Sequence, residues 1–294
     1  MAARVWAATA TDGQLFHSDS VSLCLLINRR AGTLRVFDFR AGPSASKRTF
    51  ILSTARREAI ERVFIVVERE EVPTWNHLGF AREGAIPAFY KRSDGFVMGT
   101  VVDLDPAPTH RKLRRSPRLS DVDAAERVLR SAKNLARKLP PSPVRIAQLD
   151  AAAAHRATFD ALRTGLALTA FEPFGRDPQR CWFAASQRGK TVALLSAEVQ
   201  PCFGHALVEF LTPPRDDHER AAFRSSLDAV ACELRKRDVI GMFAWSPADD
   251  PAFASVFVGA GFKRSGVLSR HLASPQGRKD AFLWTRKHPF PGES

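Results

Sequence analysis

Between Thr212 and Ala221 the chain turns through Pro213 and Pro214. It then opens a helix with Arg215, Asp216, Asp217, His218, Glu219 and Arg220. A helix start gathers free backbone N–H groups at the positive end of the helix dipole, which makes an anion site. Here Asp216 and Glu219 have the spacing of an N-cap and its reciprocal partner, so side chains are expected to satisfy those donors. No glycine lies between Gly204 and Gly241 to let the backbone close on a ligand. One carboxylate about 4 Å from a phosphate charge costs on the order of 4 kcal/mol at an effective dielectric near 20. The dipole returns only about 0.3–1 kcal/mol. Weak anion binding is therefore expected at this turn. The eight histidines show no metal-ligand spacing, and Cys24, Cys181, Cys202 and Cys232 form no Cys-x-x-Cys. No metal, no disulfide framework and a reduced, cytoplasmic location are expected.

The elements that would position this turn follow from hydrophobic periodicity. His205–Thr212 is an apolar strand before it. After the long helix come a second apolar strand, Val239–Trp245, and a short helix that runs into Gly259-Ala-Gly-Phe262. Upstream, Cys181–Ser186 and Thr191–Val199 read as a hairpin around Gln187–Lys190, Val144–Leu149 as a strand, and Asp150 as the cap of an Ala-rich helix reaching about Leu168. In the first hundred residues, Ser22–Phe39 predicts a hairpin and Pro43–Glu61 a helix. Arg62–Val67 predicts a central strand, a short helical piece follows, and Ala85–Tyr90 and Phe96–Val102 close the unit.

The halves repeat a motif. Gly79-Phe80-Ala-Arg82-Glu-Gly84-Ala-Ile86 echoes Gly261-Phe262-Lys-Arg264-Ser-Gly266-Val-Leu268. Each is followed by Asp-x-Phe, at Asp94–Phe96 and Asp280–Phe282, and preceded by an apolar strand. The expected organisation is a partial lobe over 1–105, a basic linker and helix over 106–142, and a full lobe over 143–294. Between Arg111 and Leu139 ten basic residues face three acidic ones, an excess of +7 within a total of +13. Ser120 and Asp123 have the spacing of a cap and its partner, and Val122, Ala125, Leu129, Ala132, Leu135 and Leu139 mark one apolar stripe. The charge is expected on the opposite, solvated face. No run of 18 apolar residues is present, so no membrane span is expected.

Gly79–Tyr90, with Asp94 and Met98, resembles the amino-terminal lobe of the β-lysine N-acetyltransferases, which are tandem GNAT-like proteins. Ser196-Ala197-Glu198, Glu209–Pro214, Gly261-Phe262 and Gly266-Val-Leu268 resemble their catalytic lobe in order and spacing, so the likeness runs from about Ser22 to Lys287. It implies an α/β (α+β, mixed-sheet) fold of two tandem lobes with the first shortened. The implied activity is acetyl transfer from acetyl-CoA to an amine of a lysine-like amino acid or a related small amine. Phe210, Leu211 and Thr212 would then offer backbone to the pantetheine arm, and Arg215, His218, Glu219, Arg220 and Ala221 would surround the pyrophosphate. The family loop is glycine-rich where this chain has Asp217, His218, Glu219 and Arg220.

Such a transfer needs a base for the amine proton and an acid for the departing thiolate. Glu209 and Glu198, on adjacent predicted strands, are the base candidates, with Glu209 at the strand end preferred. Tyr90 is the only tyrosine and lies in the other half, which leaves Ser246 or Cys232 as the acid. The family's asparagine and arginine near the short helix align with Ala254 and Pro247. Two other readings fit the same residues. A GNAT-like shell without transfer activity would be a binding or regulatory protein. The basic Arg111–Lys138 segment could engage nucleic acid, although no aromatic is interleaved with its charges to stack on bases.

Overall fold

The computed structural model describes residues 11–104, 119–176, 178–200, 203–274 and 276–288. Chain order in the first half is β1 (Thr11–His17), β2 (Ser22–Asn28), β3 (Thr33–Asp38), α1 (Ala45–Arg57), β4 (Arg62–Val67), α2 (Val72–His77), β5 (Ala81–Ile86) and β6 (Gly95–Val101). After α3 (Leu119–Lys138) the second half runs β7 (Arg145–Leu149), α4 (Ala151–Arg163), β8 (Gln179–Gln187), β9 (Lys190–Gln200), β10 (His205–Phe210) and α5 (Asp217–Arg235). It ends with β11 (Gly241–Pro247), α6 (Pro251–Gly259), β12 (Lys263–Ser274) and β13 (Gly277–Lys287).

These strands form one 13-stranded mixed sheet in the order β1-β2-β3-β4-β6-β5-β12-β13-β11-β10-β9-β8-β7. The order reads the same way outward from its β5/β12 seam, so β1 to β6 correspond to β8 to β13, α1 to α5 and α2 to α6. Among the described residues β7 and α4 have no counterpart in the first lobe, which is the shorter one there. The mixed α+β sheet in two lobes is as the sequence led us to expect. At the seam the echo motifs meet each other, with Gly84 paired to Gly266 and a bulge one step before each, after Arg82 and after Arg264. A Cβ on Gly266 would sit 2.4 Å from the Glu83 carbonyl oxygen and 2.5 Å from the Gly84 Cα, so glycine is required there.

Alternation along the strands divides the apolar residues into three cores. Val63, Ile65 and Val67 of β4 face α1, and Met242 and Ala244 of β11 face α5 and α6. The intervening Phe64, Val66 and Phe243 meet on the other face, where the two halves of the sheet close on each other. Ala125 and Ala132 of α3 are buried in the second lobe's core, and the basic Arg127, Arg130, Lys133, Arg137 and Lys138 are exposed. α3 begins at Leu119, one residue ahead of Ser120, whose side chain lies outside the described residues, as does most of the preceding basic stretch.

The boundaries differ from expectation in three places. β5 ends at Ile86, and Ala88 takes φ 55° in a turn whose amide is bound by Asp94. α4 stops at Arg163, well short of Leu168, and Gly165 at φ 72° turns the chain back over the sheet. β1 was not foreseen; its polar, half-exposed alternation carries little hydrophobic signal.

Candidate functional site

β10 and β11 are parallel neighbours that pair only from His205↔Gly241 to Leu207↔Phe243, although the strands run on to Phe210 and Pro247. Beyond that point each keeps only its outer partner, β9 for β10 and β13 for β11. The parted strands open a cavity of about 520 Å³, reached by Leu207, Glu209, Phe210 and Trp245. That is within the range of small-molecule sites, about 300–1,000 Å³. The segment after α4 covers it with Leu168, Thr169 and Phe174, and β3 and β4 of the first lobe close its far wall with Arg35 and Phe64.

Register places the polar groups. Arg180 stands opposite Glu198, and Glu198 opposite Leu207, with Ser196 opposite Glu209 one step on, so all point to the cavity face. Arg180 Nη1 donates to Ser196 Oγ at 2.8 Å and to Glu209 Oε2 at 3.0 Å. Its Nη2 donates to the Glu172 carbonyl at 2.7 Å and to Glu198 Oε2. Both glutamates expected from the sequence are therefore drawn to one arginine, which the sequence reading missed. Its strand begins at Gln179, two residues before the apolar run that starts at Cys181, so Arg180 carries no hydrophobic strand signal. The available signal was the carboxylate pair itself, because two buried acids need a counter-charge.

The two carboxylates are not equivalent. Glu198 is fully buried and accepts from Phe174 N at 2.9 Å and Gly175 N at 2.6 Å as well as from Arg180. With about four lone-pair directions per carboxylate, most of its acceptor capacity is already taken. Among the described residues Glu209 accepts only from Thr169 Oγ1 at 3.1 Å and Arg180 Nη1, one bond per oxygen. Burial pushes its pKa above the ordinary carboxylate range, opposed by Arg180. It is a carboxylate with spare acceptor directions in a partly desolvated cavity, suited to take a proton.

Ser246 is elsewhere. Its neighbour Trp245 faces the cavity, so alternation turns Ser246 to the helix side, where its Oγ accepts from Trp284 Nε1 at 2.9 Å. Cys232 is exposed on α5. Tyr90 donates to the Val66 carbonyl at 2.8 Å, and burial raises its pKa far above the ordinary range. None of the three borders the opening.

The proposed cofactor residues are divided. Phe210 is stacked on Phe223 with centroids 4.4 Å apart and reaches the cavity edge. Leu211 spends its N–H on the Leu194 carbonyl at 2.9 Å and its own carbonyl on Leu168 N at 2.7 Å. Thr212 is half-buried. At the start of α5, Asp216 Oδ1 accepts from Glu219 N at 2.8 Å. Glu219 accepts from Arg215 N at 2.8 Å and Arg215 Nε at 2.9 Å, where Asp216 N had been expected as its partner. Arg220 pairs with Asp217. His218 and the buried Ala221 border a separate outer pocket with Pro140–Pro143 and Arg188. Three carboxylates thus accompany two guanidiniums, and both guanidiniums are already paired. This helix start does not fit a pyrophosphate.

The corresponding turn of the first lobe is closed from within. Lys47, in the first turn of α1, is fully buried. Its Nζ donates to Asp38 Oδ2 at 2.5 Å, to the Gly42 carbonyl at 3.0 Å and to the Arg40 carbonyl. Among the described residues no group of three or more His, Cys, Asp or Glu is placed to hold a metal ion, and no helix is long and apolar enough to cross a membrane.

Neither a family model nor a curated protein matches the sequence. Among solved structures, the chain is similar to the ribosomal-protein-S18-alanine N-acetyltransferase from Escherichia coli, with 19% identity, 52% of this chain and 98% of that chain covered, and a TM-score of 0.37. It is also similar to a spermidine N-acetyltransferase from Vibrio cholerae, with 11% identity, 49% and 93% covered, and a TM-score of 0.40.

Proposed function

We propose that the protein is an N-acyltransferase acting on an amine of a lysine-like amino acid, with the acetyl-CoA donor that the sequence resemblance implies. The observation that carries this reading is Glu209, a carboxylate of raised pKa at the point where β10 and β11 part. In this role Glu209 accepts the proton of the incoming ammonium. The free amine attacks the thioester carbonyl, the C–S bond breaks, and the proton the nitrogen sheds on forming the amide goes to the departing thiolate. Thr169 and Arg180 hold its two oxygens in place, and Phe64, Phe174 and Trp245 keep water from the bond being made. The carboxylates around α5 are not arranged for the nucleotide end of the donor, so the donor is expected to bind weakly.

A second reading has its own observation. The start of α5 is satisfied by Asp216 and Glu219, which favours a protein that keeps the cavity as a binding site without transfer. Thiol release from acetyl-CoA in the presence of L-lysine separates the two. Turnover is expected in the wild type, and Glu209→Gln is expected to lower kcat about 100-fold or more, in line with the loss of a general base. Arg180 keeps Glu198 in that variant, so the fold is expected to survive. Undiminished turnover in Glu209→Gln removes Glu209 from the mechanism. No turnover in a wild type that still binds lysine leaves the binding reading.

A further inference from the structure

The cavity has a wall that the catalytic half does not supply. Leu26, Arg35 and Phe64 stand opposite one another across β2, β3 and β4, so their side chains share the face that borders it. Arg35 is only 5% exposed. Its guanidinium carbon lies 3.5 Å from the Phe174 ring centroid and 4.5 Å from that of Phe37, so two aromatic rings pack against the guanidinium. Nη1 donates to the Phe174 carbonyl, and Nε has no hydrogen-bond partner. Leaving a buried charged donor unmet is expensive, and a guanidinium edge matches a carboxylate in shape and charge.

Among the described residues no carboxylate of the chain hydrogen-bonds Arg35, although Glu172, whose Oε1 has no hydrogen-bond partner, also lines the cavity. Glu198 acts on Arg35 through space, but its oxygens are engaged by Arg180, Phe174 and Gly175. The other cations at the cavity are engaged too, Arg30 with Glu172 at 3.1 Å and Lys279 with Asp249 at 2.7 Å. Beside this wall stands His271, buried against Trp245 and Phe64, with Nδ1 also unpartnered. The second-lobe wall presents Glu209. One cavity therefore has a cationic donor on the first lobe and a carboxylate on the second.

We propose that the first lobe forms the anion-recognition end of the acceptor site, with Arg35 holding the carboxylate of a zwitterionic amino acid whose amine is directed to Glu209. This rests on the transfer reading for the role of Glu209, and it gives the shortened lobe a binding function beyond packing.

The test is titration calorimetry on the full chain, without acyl donor, using L-lysine and 1,5-diaminopentane, which differ only in the carboxylate. Lysine is expected to bind at least tenfold more tightly to the wild type. Arg35→Gln is expected to abolish the preference, bringing lysine to the level of the diamine. Because a buried arginine can be needed for folding, the wild-type comparison stands without a variant, and Arg35→Lys supplies a charge-preserving one expected to retain part of the preference. Equal affinities in the wild type, no heat with either probe, or a full preference in Arg35→Gln overturns the assignment. A lysine preference with no acetyl transfer removes the transfer reading and leaves Arg35 in place. Equal transfer to both amines overturns the assignment and leaves the transfer reading.

Discussion

Glu209 and His271 border the same cavity and are shifted by the same burial in opposite senses of charge. Burial raises the pKa of Glu209. It lowers that of His271 well below the ordinary value, with Arg62 and Arg278 adding to the effect. His205 is also lowered, and His288 is lowered to about 4. For each histidine the unfolded chain binds a proton that the folded chain refuses, so stability is lost as pH falls from 6.5 toward the folded value. Glu209 works the other way. Its folded form holds a proton longer, so its contribution is present below the ordinary carboxylate pKa of 4.5 and is lost as pH rises through the folded value. The three lowered histidines are joined at the acid end by Glu58 and Glu219, which are held below the ordinary carboxylate value. Together they outnumber the raised Glu209 and Glu71 and predict a melting temperature that falls between pH 6.5 and 4, each group adding at most about 1.4 kcal/mol per pH unit. His271→Phe, which removes an unpartnered Nδ1 from an aromatic setting, is expected to flatten that fall. Melts with the same slope in variant and wild type would remove His271 from the account. The sequence allowed Glu209 to be singled out, because a strand-end carboxylate is visible in an apolar run. Its place at the strand end put Glu209 ahead of Glu198, and the hydrogen bonds that occupy Glu198 come from Phe174 and Gly175, residues far away along the chain.

At the scale of elements, the start of α5 was the most legible feature. Asp216 caps Glu219 as the spacing predicted, since a cap is a local interaction between residues three apart. The length of α4 was less legible, because its end is set by Gly165 and by the backbone hydrogen bond from Leu168 N to the Leu211 carbonyl. The paired guanidiniums of α5 lead to a prediction about the donor. Asp217→Gly combined with His218→Gly releases Arg220 from its ion pair and lets the backbone approach a phosphate. Acetyl-CoA is expected to bind this variant several-fold more tightly than the wild type by calorimetry. Unchanged affinity would mean that the acidic first turn does not limit donor binding. The first lobe's turn offers no second donor site, because removing Lys47 from its carbonyl and carboxylate shell would leave Asp38 buried and unpaired, a change of roughly 3–5 kcal/mol.

For the whole molecule, the repeat is what joins the lobes. Two copies of a Gly-Phe motif pair with each other across the seam, and Glu83 in the first bulge accepts from Ser269 N at 3.3 Å while pairing with the buried Arg62. Gly266→Ala drives a methyl group into the Glu83 carbonyl and the Gly84 backbone, neither of which can move alone. It is expected to destabilise by about 1–3 kcal/mol, the range of overpacking, as a lower urea midpoint and faster proteolytic separation of the halves. An unchanged midpoint would show that the seam is not under this constraint. From its residues alone the chain determined strand and helix types, the repeated motif and the acidic helix start, because periodicity, capping and turn chemistry act over a few positions. Only the tertiary structure decided that the two motifs pair, that Arg180 gathers both glutamates, and that Arg35 of one lobe and Glu209 of the other border one cavity. Those relations depend on which strands lie side by side, and strand neighbours are chosen by the packing of residues far apart in the chain.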